Sequence, residues 1–463
     1  MPAPRFPAVT RALAALAALA ASAPAPAQEL PDAPAERPVA LDAGPVRQAG
    51  QPQNVVLLIA DGFGPASATL GRAAKRAPLA FDSVQVGTVE TSATDNRVTD
   101  SAAGATAYAC GIKTYNGAIA VDTTGAPCRT VLEAAEARGM ATGLVATSRI
   151  THATPASFAA HVPQRSQEAE IARQLAVSGV DLLLGGGAQF FADDAQAGTA
   201  ALTDWMAEHG WTVALDRAAY DRLAALPAAA LLADSHLAYE VDRDGTDQPS
   251  LAEMTEKALG LLSAEAGDRG FFLMVEGSRI DHAGHANDPA GHLYDILAYD
   301  EAVAAALAWA ARDGNTLVVS TADHETGGLT LGRDGVYFWD PAPVLRATAS
   351  FEAMGLAMGA GADPAETVRV GLGLDALPDG AADALRGAVA SGDPAAYATL
   401  VRDLASEPAG IGWTTGGHTA VDVGLYAFGP GAERFAGRMA NDAVGRALFD
   451  ALGLDRETAA ADR

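Results

Sequence analysis

Short apolar runs of strand length recur along the chain and alternate with longer stretches of helical periodicity. The clearest runs lie at 55–59, 142–146, 181–184, 271–275, 316–320 and 424–428, and the clearest helical stretches at 102–110, 167–177, 251–264 and 293–311. Strands that alternate with helices along a chain usually pair in parallel. The order therefore predicts an α/β fold with a large, mainly parallel β-sheet sandwiched by helices.

Two regions interrupt this alternation, at about 188–250 and 335–412, where Ala, Gly, Pro and Asp dominate and helical periodicity is weak. We interpret the second region as an inserted helical or irregular cap subdomain. The predicted organisation is a main α/β core over 53–334, the insert over 335–412, a return to the core over 413–455 and a tail over 456–463.

The N-terminal residues have the features of a targeting segment. Arg5 and Arg11 precede a small apolar run over 12–21, and an Ala-Pro-Ala cleavage site follows at 25–27. This pattern predicts a signal peptide over 1–27 and an arm or linker over 28–52. The apolar run is too short to span a bilayer, and no later stretch of about 20 residues is free of charges and turn formers. We expect an exported protein, periplasmic or secreted, without a membrane span.

The net charge of −26 argues against a nucleic-acid-binding surface. It also repels anionic ligands at long range, so a phosphate site would need local positive charge from metal ions or a placed arginine. Most of the acidic residues are expected simply to be solvated. Cys110 and Cys128 are the only cysteines, and in an oxidising compartment we expect them to pair across a short loop.

Polar side chains follow four of the predicted strands. These residues are Asp61, then His152 and Thr154, then Glu276 with Asp281 and His285, and finally Asp323 and His324. Ligands of open α/β sheets bind beyond the carboxyl ends of the strands, which a parallel sheet brings to one edge. One such carboxylate alone is usually a helix cap or a turn residue. Their recurrence at four strand ends indicates a shared site.

The spacing and chemistry of these residues indicate metal binding. Asp281 and His285 are four residues apart, so both can reach one ion from a helical turn, and Asp323 with His324 forms a second pair. Mixed carboxylate and imidazole ligands suit zinc. Magnesium prefers oxygen ligands, and the chain offers three in these segments: Asp61, Thr154 and Glu276.

Ser101 is the candidate nucleophile. It precedes a run of small residues that predicts a helix whose first turn can approach a ligand closely, and a helix N-terminus favours an anion. The alternative is that Ser101 or Asp100 only caps this helix. Metal ions can lower the pKa of a bound hydroxyl, so Ser101 would not require a Ser-His-Asp base.

Six segments together resemble the alkaline phosphatases of the binuclear-zinc family, in the order that the family has them. They lie at 54–64, 90–119, 147–165, 272–289, 319–329 and 413–431, whereas 188–250 and 335–412 match no motif of the family. The resemblance implies an alkaline-phosphatase-like fold. It also implies hydrolysis of small phosphate monoesters through a phosphoserine on Ser101, with two Zn²⁺ and one Mg²⁺ as cofactors.

The resemblance also implies a role for each matching residue. Asp281, His285 and His418 would hold the first zinc; Asp323, His324 and Asp61 the second; and Asp61, Thr154 and Glu276 the magnesium. Arg165 would bind two phosphate oxygens with its guanidinium, oriented by Asp100.

Two positions depart from the best-known bacterial pattern of the family. His152 stands where an aspartate often lies near magnesium, and His282 where a lysine often reaches phosphate through water. Other branches of the family have histidine at both. Because imidazole is a softer ligand than carboxylate, we expect the third site to accept zinc more readily and to need added magnesium for full activity.

Two other functions are compatible with parts of this pattern. A phosphodiesterase or sulfatase of the same superfamily would use the same two zinc ions, but the arginine and the magnesium ligands argue against it. A non-catalytic exported protein that binds metal or phosphate would not require Ser101. By analogy with the family we also expect a homodimer.

Overall fold

The computed structural model describes residues 50–192 and 201–456. The predicted signal peptide, most of the predicted arm and almost all of the tail lie outside the described residues. The strands are β1 (Asn54–Ala60), β2 (Gln85–Glu90), β3 (Ala141–Arg149), β4 (Leu182–Gly186), β5 (Thr212–Ala214), β6 (Ala228–Leu231), β7 (Phe271–Gly277), β8 (Thr316–Thr321), β9 (Glu325–Thr326), β10 (Leu329–Leu331), β11 (Ile411–Trp413), β12 (His418–Thr419), β13 (Val423–Phe428) and β14 (Gly437–Ala440).

The α-helices of the same ranges are α1 (Pro65–Lys75), α2 (Ser101–Cys110), α3 (Val131–Ala137), α4 (Ala153–Ala159), α5 (Glu168–Val177), α6 (Leu202–Glu208), α7 (Arg217–Asp221), α8 (Leu251–Ala266), α9 (Arg279–Ala286), α10 (Pro289–Asp313), α11 (Ala342–Leu345), α12 (Phe351–Gly359), α13 (Pro364–Gly371), α14 (Ala381–Ala390), α15 (Pro394–Ser406) and α16 (Asn441–Leu452).

Ten strands form one sheet in the order β14-β2-β13-β8-β1-β7-β3-β4-β6-β5. Strand β13 is antiparallel to both of its neighbours, and the other pairings in the sheet are parallel. The central strands β1, β7 and β8 are buried along their whole length, as expected for parallel strands that helices cover on both faces. The predicted α/β fold with a large, mainly parallel sheet is confirmed.

Two layers of helices pack against this sheet. Helices α8 and α10 contact each other and the strands β3, β7, β8 and β1, and α1 packs on α10. Helices α3 and α4 contact β3 and β7, while α2 packs between α4 and α16. The main apolar core lies between these layers and the central strands.

The region 188–250 contributes two strands that the sequence pattern did not predict. Strand β6 has the sequence Ala-Ala-Ala-Leu, and β5 is three residues long. Both pair in parallel at one edge of the sheet. Because they lack the β-branched and aromatic residues that mark strands, their sequences carried no clear signal.

The region 335–412 is more helical than its weak periodicity indicated, since it contains α11 to α15. Ser350, Asp363 and Asp393 each accept a hydrogen bond from a backbone N–H in the first turn of the following helix. The helices surround an apolar cluster of their own, formed by Met354, Val368, Leu372, Leu385, Val401 and Ala405. Strands β10 and β11 pair where the chain enters and leaves this region.

Cys110 and Cys128 form a disulfide, with Cα atoms 5.9 Å apart. The bond links the last residue of α2 to the loop before α3 and closes a short stretch of chain. Within the described ranges, no helix has both the length and the apolar composition that crossing a bilayer requires.

Candidate active site

The predicted site residues meet at the carboxyl-terminal edge of the sheet. Asp61 follows β1, Glu276 lies near the end of β7, and Asp323 follows β8. Since β1 pairs in parallel with β7 and β8, these three acids lie at one edge. Strand β13 runs the opposite way, so the residues that precede it, including His418, reach the same edge.

A glycine allows the chain to turn sharply directly after Asp61. Gly62 has a φ of +78°, and a Cβ at this position would lie 2.6 Å from the Cα of Asp281. Its N–H lies 3.3 Å from Oδ1 of Asp323 and donates to it. A side chain is therefore excluded by both conformation and space, and the turn lies directly against Asp281 of α9.

Three groups of side chains have candidate ligand atoms within 4.8 Å of one another. The groups are Asp281, His285 and His418; Asp61, Asp323 and His324; and Asp61, His152 and Glu276. Asp61 belongs to two of them. The first two groups have the membership that the resemblance implies for the zinc sites, and His152 lies in the third, beside Glu276.

Hydrogen bonds at Nδ1 orient the three histidines of the first two groups. Nδ1 of His285 lies 2.7 Å from the carbonyl oxygen of Gly416, and Nδ1 of His418 lies 2.8 Å from that of Thr99. Nδ1 of His324 lies 3.2 Å from the hydroxyl of Thr326. In each ring Nε2 is then the nitrogen nearest the acids: His285 to Asp281 at 3.4 Å, His418 to Asp281 at 3.6 Å and His324 to Asp323 at 3.2 Å. Such outer contacts fix ring orientation in metal sites.

Several buried polar atoms at this edge have no hydrogen-bond partner among the residues that the structure describes. They are both carboxylate oxygens of Asp61, Oδ2 of Asp323, Oε1 of Glu276, the hydroxyl of Thr154 and Nδ1 of His152. Buried polar atoms without partners are uncommon because their desolvation is not compensated. Divalent cations would satisfy these atoms, so the residues of the second and third groups fit the metal ions that the resemblance implies.

The directions in which burial and neighbouring charges shift the pKa values agree with this interpretation. Burial raises the pKa of Asp61 and of Asp323, and repulsion from neighbouring carboxylates raises both further. Burial also raises the pKa of Glu276 and lowers the pKa of His324. Without a cation the acids hold protons more tightly, whereas a bound cation would displace those protons.

Ser101 is the first residue of α2, and it is buried beside the second group. Its hydroxyl lies 3.3 Å from Nε2 of His324. The cap of this helix is Asp100, whose Oδ1 accepts the N–H of Ala103 at 3.0 Å. Ser101 is therefore not the cap, and its hydroxyl is directed toward the candidate ligands.

Asp100 also holds the predicted phosphate-binding arginine. Nη1 of Arg165 donates to Oδ2 of Asp100 at 3.1 Å, and Nη2 donates to Nε2 of His152 at 3.0 Å. The same Oδ2 accepts the N–H of Gly117 at 3.0 Å. One carboxylate thus caps the helix of Ser101 and orients the guanidinium next to it.

A cluster of alternating imidazoles and guanidiniums lies beside the third group. The ring centroids of His152, His236 and His282 lie between 4.3 and 5.6 Å apart. Each ring has its own guanidinium partner: Arg165, Arg149 and Arg279, respectively. Burial lowers the pKa of all three histidines, for His236 to about 3. The sequence pattern missed Arg149, His236 and Arg279. His236 follows β6, which had no strand signal in the sequence, so its position at this edge of the sheet could not be predicted.

Known proteins share both the sequence and the fold of this chain. The family profile described as Alkaline phosphatase matches residues 52–454. The chain is similar to the repressible alkaline phosphatase of Saccharomyces cerevisiae, with 40% identity over 81% of this chain and 76% of the relative. It is also similar to alkaline phosphatase 3 of Bacillus subtilis, with 39% identity over 86% of this chain and 89% of the relative.

Among solved structures, the chain resembles the alkaline phosphatase of Thermus thermophilus. That comparison has a TM-score of 0.80 and 32% identity, and it covers 91% of this chain and 96% of the other. The cold-active enzyme of Shewanella sp. gives a TM-score of 0.79 at 33% identity, covering 86% and 99%. The sequence motifs, the shared edge of the sheet and these similarities agree, and the chain belongs to the alkaline phosphatase family of phosphatase enzymes.

Proposed function

We propose that this phosphatase hydrolyses phosphate monoesters through a covalent phosphoserine on Ser101, at a site for two zinc ions and one magnesium ion. The observation that carries the proposal is the position of the Ser101 hydroxyl, 3.3 Å from Nε2 of His324. It lies beside a group of buried ligand atoms that includes Asp61, whose two carboxylate oxygens have no hydrogen-bond partner in the described part of the chain.

We assign the metals by the chemistry of the ligands. One zinc would be held by Asp281, His285 and His418, the other by Asp61, Asp323 and His324, and magnesium by Asp61, Thr154 and Glu276, with His152 beside it. When bound, the ions would supply Lewis-acid stabilisation of charge on oxygen and would lower the pKa of a neighbouring hydroxyl. The softer imidazole of His152 would let the third site accept zinc as well.

Ser101, Arg165 and Asp100 have separate roles in the two steps of the reaction. The Ser101 oxygen attacks phosphorus as the bond to the ester oxygen breaks, and the leaving alcohol takes up a proton. Arg165 donates to two non-bridging oxygens of the phosphate, a pairing that suits a planar guanidinium. Water then attacks the phosphoserine, releasing phosphate and returning a proton to Ser101. Asp100 keeps Arg165 aligned throughout, because it already accepts one of its N–H groups.

The test is to trap the intermediate. Purified protein is mixed with a ³²P-labelled monoester and quenched in acid, and we expect label on the peptide that contains Ser101. Ser101→Ala should lose the label and nearly all turnover while keeping its metal content. Ser157→Ala is a matched control, because Ser157 is also buried and packs against the backbone of α2. Label in Ser101→Ala, or none in the wild type during turnover, would refute the proposal.

A parallel measurement separates the alternatives. A monoester, a diester and a sulfate ester are compared on the same protein, and we expect kcat/KM to be highest for the monoester. Preference for the diester or the sulfate would favour a phosphodiesterase or a sulfatase. Binding of metal or phosphate without any turnover would favour a non-catalytic protein.

We further propose that the enzyme is exported and forms a homodimer. The N-terminal segment has the pattern of a signal peptide, and a disulfide suits an oxidising compartment. N-terminal sequencing of the mature protein should begin after residue 27, and light scattering should give twice the mass of the mature chain. A retained N-terminus or a monomer mass would contradict these two statements.

A further inference from the structure

An open pocket of about 570 Å³ adjoins the first group of candidate ligands. His282 and His285 of α9 line one side, and Phe351 and Glu352 of α12 line another. His285 belongs to the first group, whereas the Ser101 hydroxyl lies beside His324 of the second group. Because the attacking and leaving oxygens lie in line across phosphorus, the leaving oxygen lies on the side of the first group. If the proposed function holds, the organic part of the substrate therefore lies in this pocket.

The wall of the pocket contains an ion pair of unequal exposure. The side chain of Arg279 is 2% exposed, whereas that of Glu352 is 53% exposed. The guanidinium lies over the ring of Tyr239 at 3.7 Å, Nη1 donates to Nδ1 of His282 at 3.0 Å, and Nη2 donates to Glu352 at 2.8 Å. Arg279 is thus fixed by three neighbours, and Glu352 is the member of the pair that faces solvent.

The backbone next to Glu352 is anchored to the core. The N–H of Phe351 donates to Oδ2 of Asp288 at 2.7 Å, and the N–H of Ser350 donates to Oδ1 of Asp242 at 2.9 Å. The hydroxyl of Ser350 also caps α12. The first turn of α12 is therefore held in place, and the carboxylate of Glu352 stays at the mouth of the pocket.

The exposed charge among the lining residues is that of Glu352. Asp288 is buried, and both of its oxygens accept backbone N–H groups. The rings of His282 and His236 each accept a hydrogen bond from a guanidinium, of Arg279 and Arg149 respectively, so these ring nitrogens are not free donors for a substrate. A substrate that enters the pocket meets the carboxylate of Glu352, which occupies the outward donor of Arg279.

We propose that Glu352 is a specificity-determining residue for the leaving group. Its carboxylate repels a second anion on the substrate and occupies the donor of Arg279 that could bind such an anion. The enzyme is thereby selective for monoesters whose leaving group is neutral or cationic, and it discriminates against leaving groups that carry a carboxylate or a second phosphate. When Glu352 loses its charge, the positive charge of Arg279 is no longer balanced and attracts the second anion.

The test compares two esters that differ in one group. Glycerol 3-phosphate has a neutral leaving group, and 3-phosphoglycerate carries a carboxylate in place of one hydroxymethyl group. Glu352→Gln should raise the ratio of kcat/KM for 3-phosphoglycerate to that for glycerol 3-phosphate about fivefold, the order expected for one charge a few ångströms away in a solvated site. Higher salt should reduce this change.

Two control variants accompany this substitution. Glu366→Gln removes a comparable charge from the first turn of α13, where Glu366 is 60% exposed and pairs with Arg369, and it should leave the ratio unchanged. Glu352→Asp keeps the charge and should keep a ratio near the wild-type value. A change below twofold in Glu352→Gln, or an equal change in Glu366→Gln, overturns the inference. Turnover of neither ester by the wild type would instead overturn the proposed function, and this inference with it.

Discussion

Replacing Asp61 by asparagine should stabilise the metal-free protein and weaken the metal-loaded one. The carboxylate is fully buried, and neither of its oxygens has a hydrogen-bond partner within residues 50–192 and 201–456. Burial raises its pKa, and so does repulsion from Asp323, Asp281 and Glu276. In the metal-free protein, Asp61→Asn removes the buried charge and this repulsion at nearly constant side-chain size.

The expected change in the free energy of unfolding is the difference between the cost of burying the carboxylate and the cost of burying the amide that replaces it. An uncompensated buried charge costs several kcal/mol, and the unpartnered amide that replaces it still costs about 1–3 kcal/mol. The difference favours Asp61→Asn by about 2 kcal/mol at alkaline pH, which is about 2 °C in Tm for a chain of this length. Because the folded-state pKa of Asp61 is raised, wild-type stability falls as pH rises through that pKa. The advantage of the variant should therefore grow with pH.

With metal ions bound, the wild type should become more stable than Asp61→Asn. A ligand at a hundred times its Kd stabilises by about 2.7 kcal/mol per site, and Asp61 belongs to two of the three candidate groups. The assay is thermal denaturation of chelator-treated protein at pH 6 and pH 9, with and without zinc and magnesium. Asp288→Asn is the control, since Asp288 is also buried but accepts three backbone N–H groups; it should destabilise both states. The reasoning is refuted if Asp61→Asn lowers Tm without metals at pH 9, or if metals raise Tm equally in both proteins.

Three further substitutions test separate parts of the site. Asp100→Ala should raise KM for a monoester at least about tenfold in steady-state kinetics, because a charge-assisted hydrogen bond that orients Arg165 is lost; an unchanged KM would contradict this role. His152→Asp should lower the zinc content of the third site. In the wild type, magnesium added to zinc-restored apoenzyme should increase the activity; full activity with zinc alone would argue against a magnesium requirement of the third site. Replacing Cys110 and Cys128 together by serine should cost about 3 kcal/mol in denaturant unfolding, because the bridge closes a loop of 18 residues; a loss below about 1 kcal/mol would show that the loop is ordered without the bond.

The parts of the fold that the sequence predicted are those whose signal is local. Strands β1, β7 and β8 are continuous apolar runs buried on both faces, so their positions could be found from hydropathy alone. Because parallel strands share an edge, the polar residues that follow them could be grouped from their positions in the chain. The cap of α2 was not decided in this way, since Asp100 and Ser101 are adjacent and both suit an N-terminus.

The parts that were missed depend on contacts between distant residues. Strand β6 consists of alanine and leucine, so its place at the edge of the sheet comes from pairing with β4 rather than from propensity. His236 follows that strand and was therefore missed with it. Arg279 lies inside a recognised motif, but its partner Glu352 is 73 positions away in a region that no motif covers. Periodicity cannot reveal such a pair.

The two antiparallel pairs at the base of the helical region have a consequence for how this enzyme can change. Leu331 lies opposite Ile411, and Thr326 lies opposite His418, so the polypeptide departs and comes back at neighbouring points. The entropic cost of closing a loop rises only slowly with the number of residues in the loop. Residues can therefore be gained, lost or exchanged between those points while His418 keeps its position. Evolution or protein engineering can thus remodel the entrance for new substrates and leave the hydrolytic centre intact.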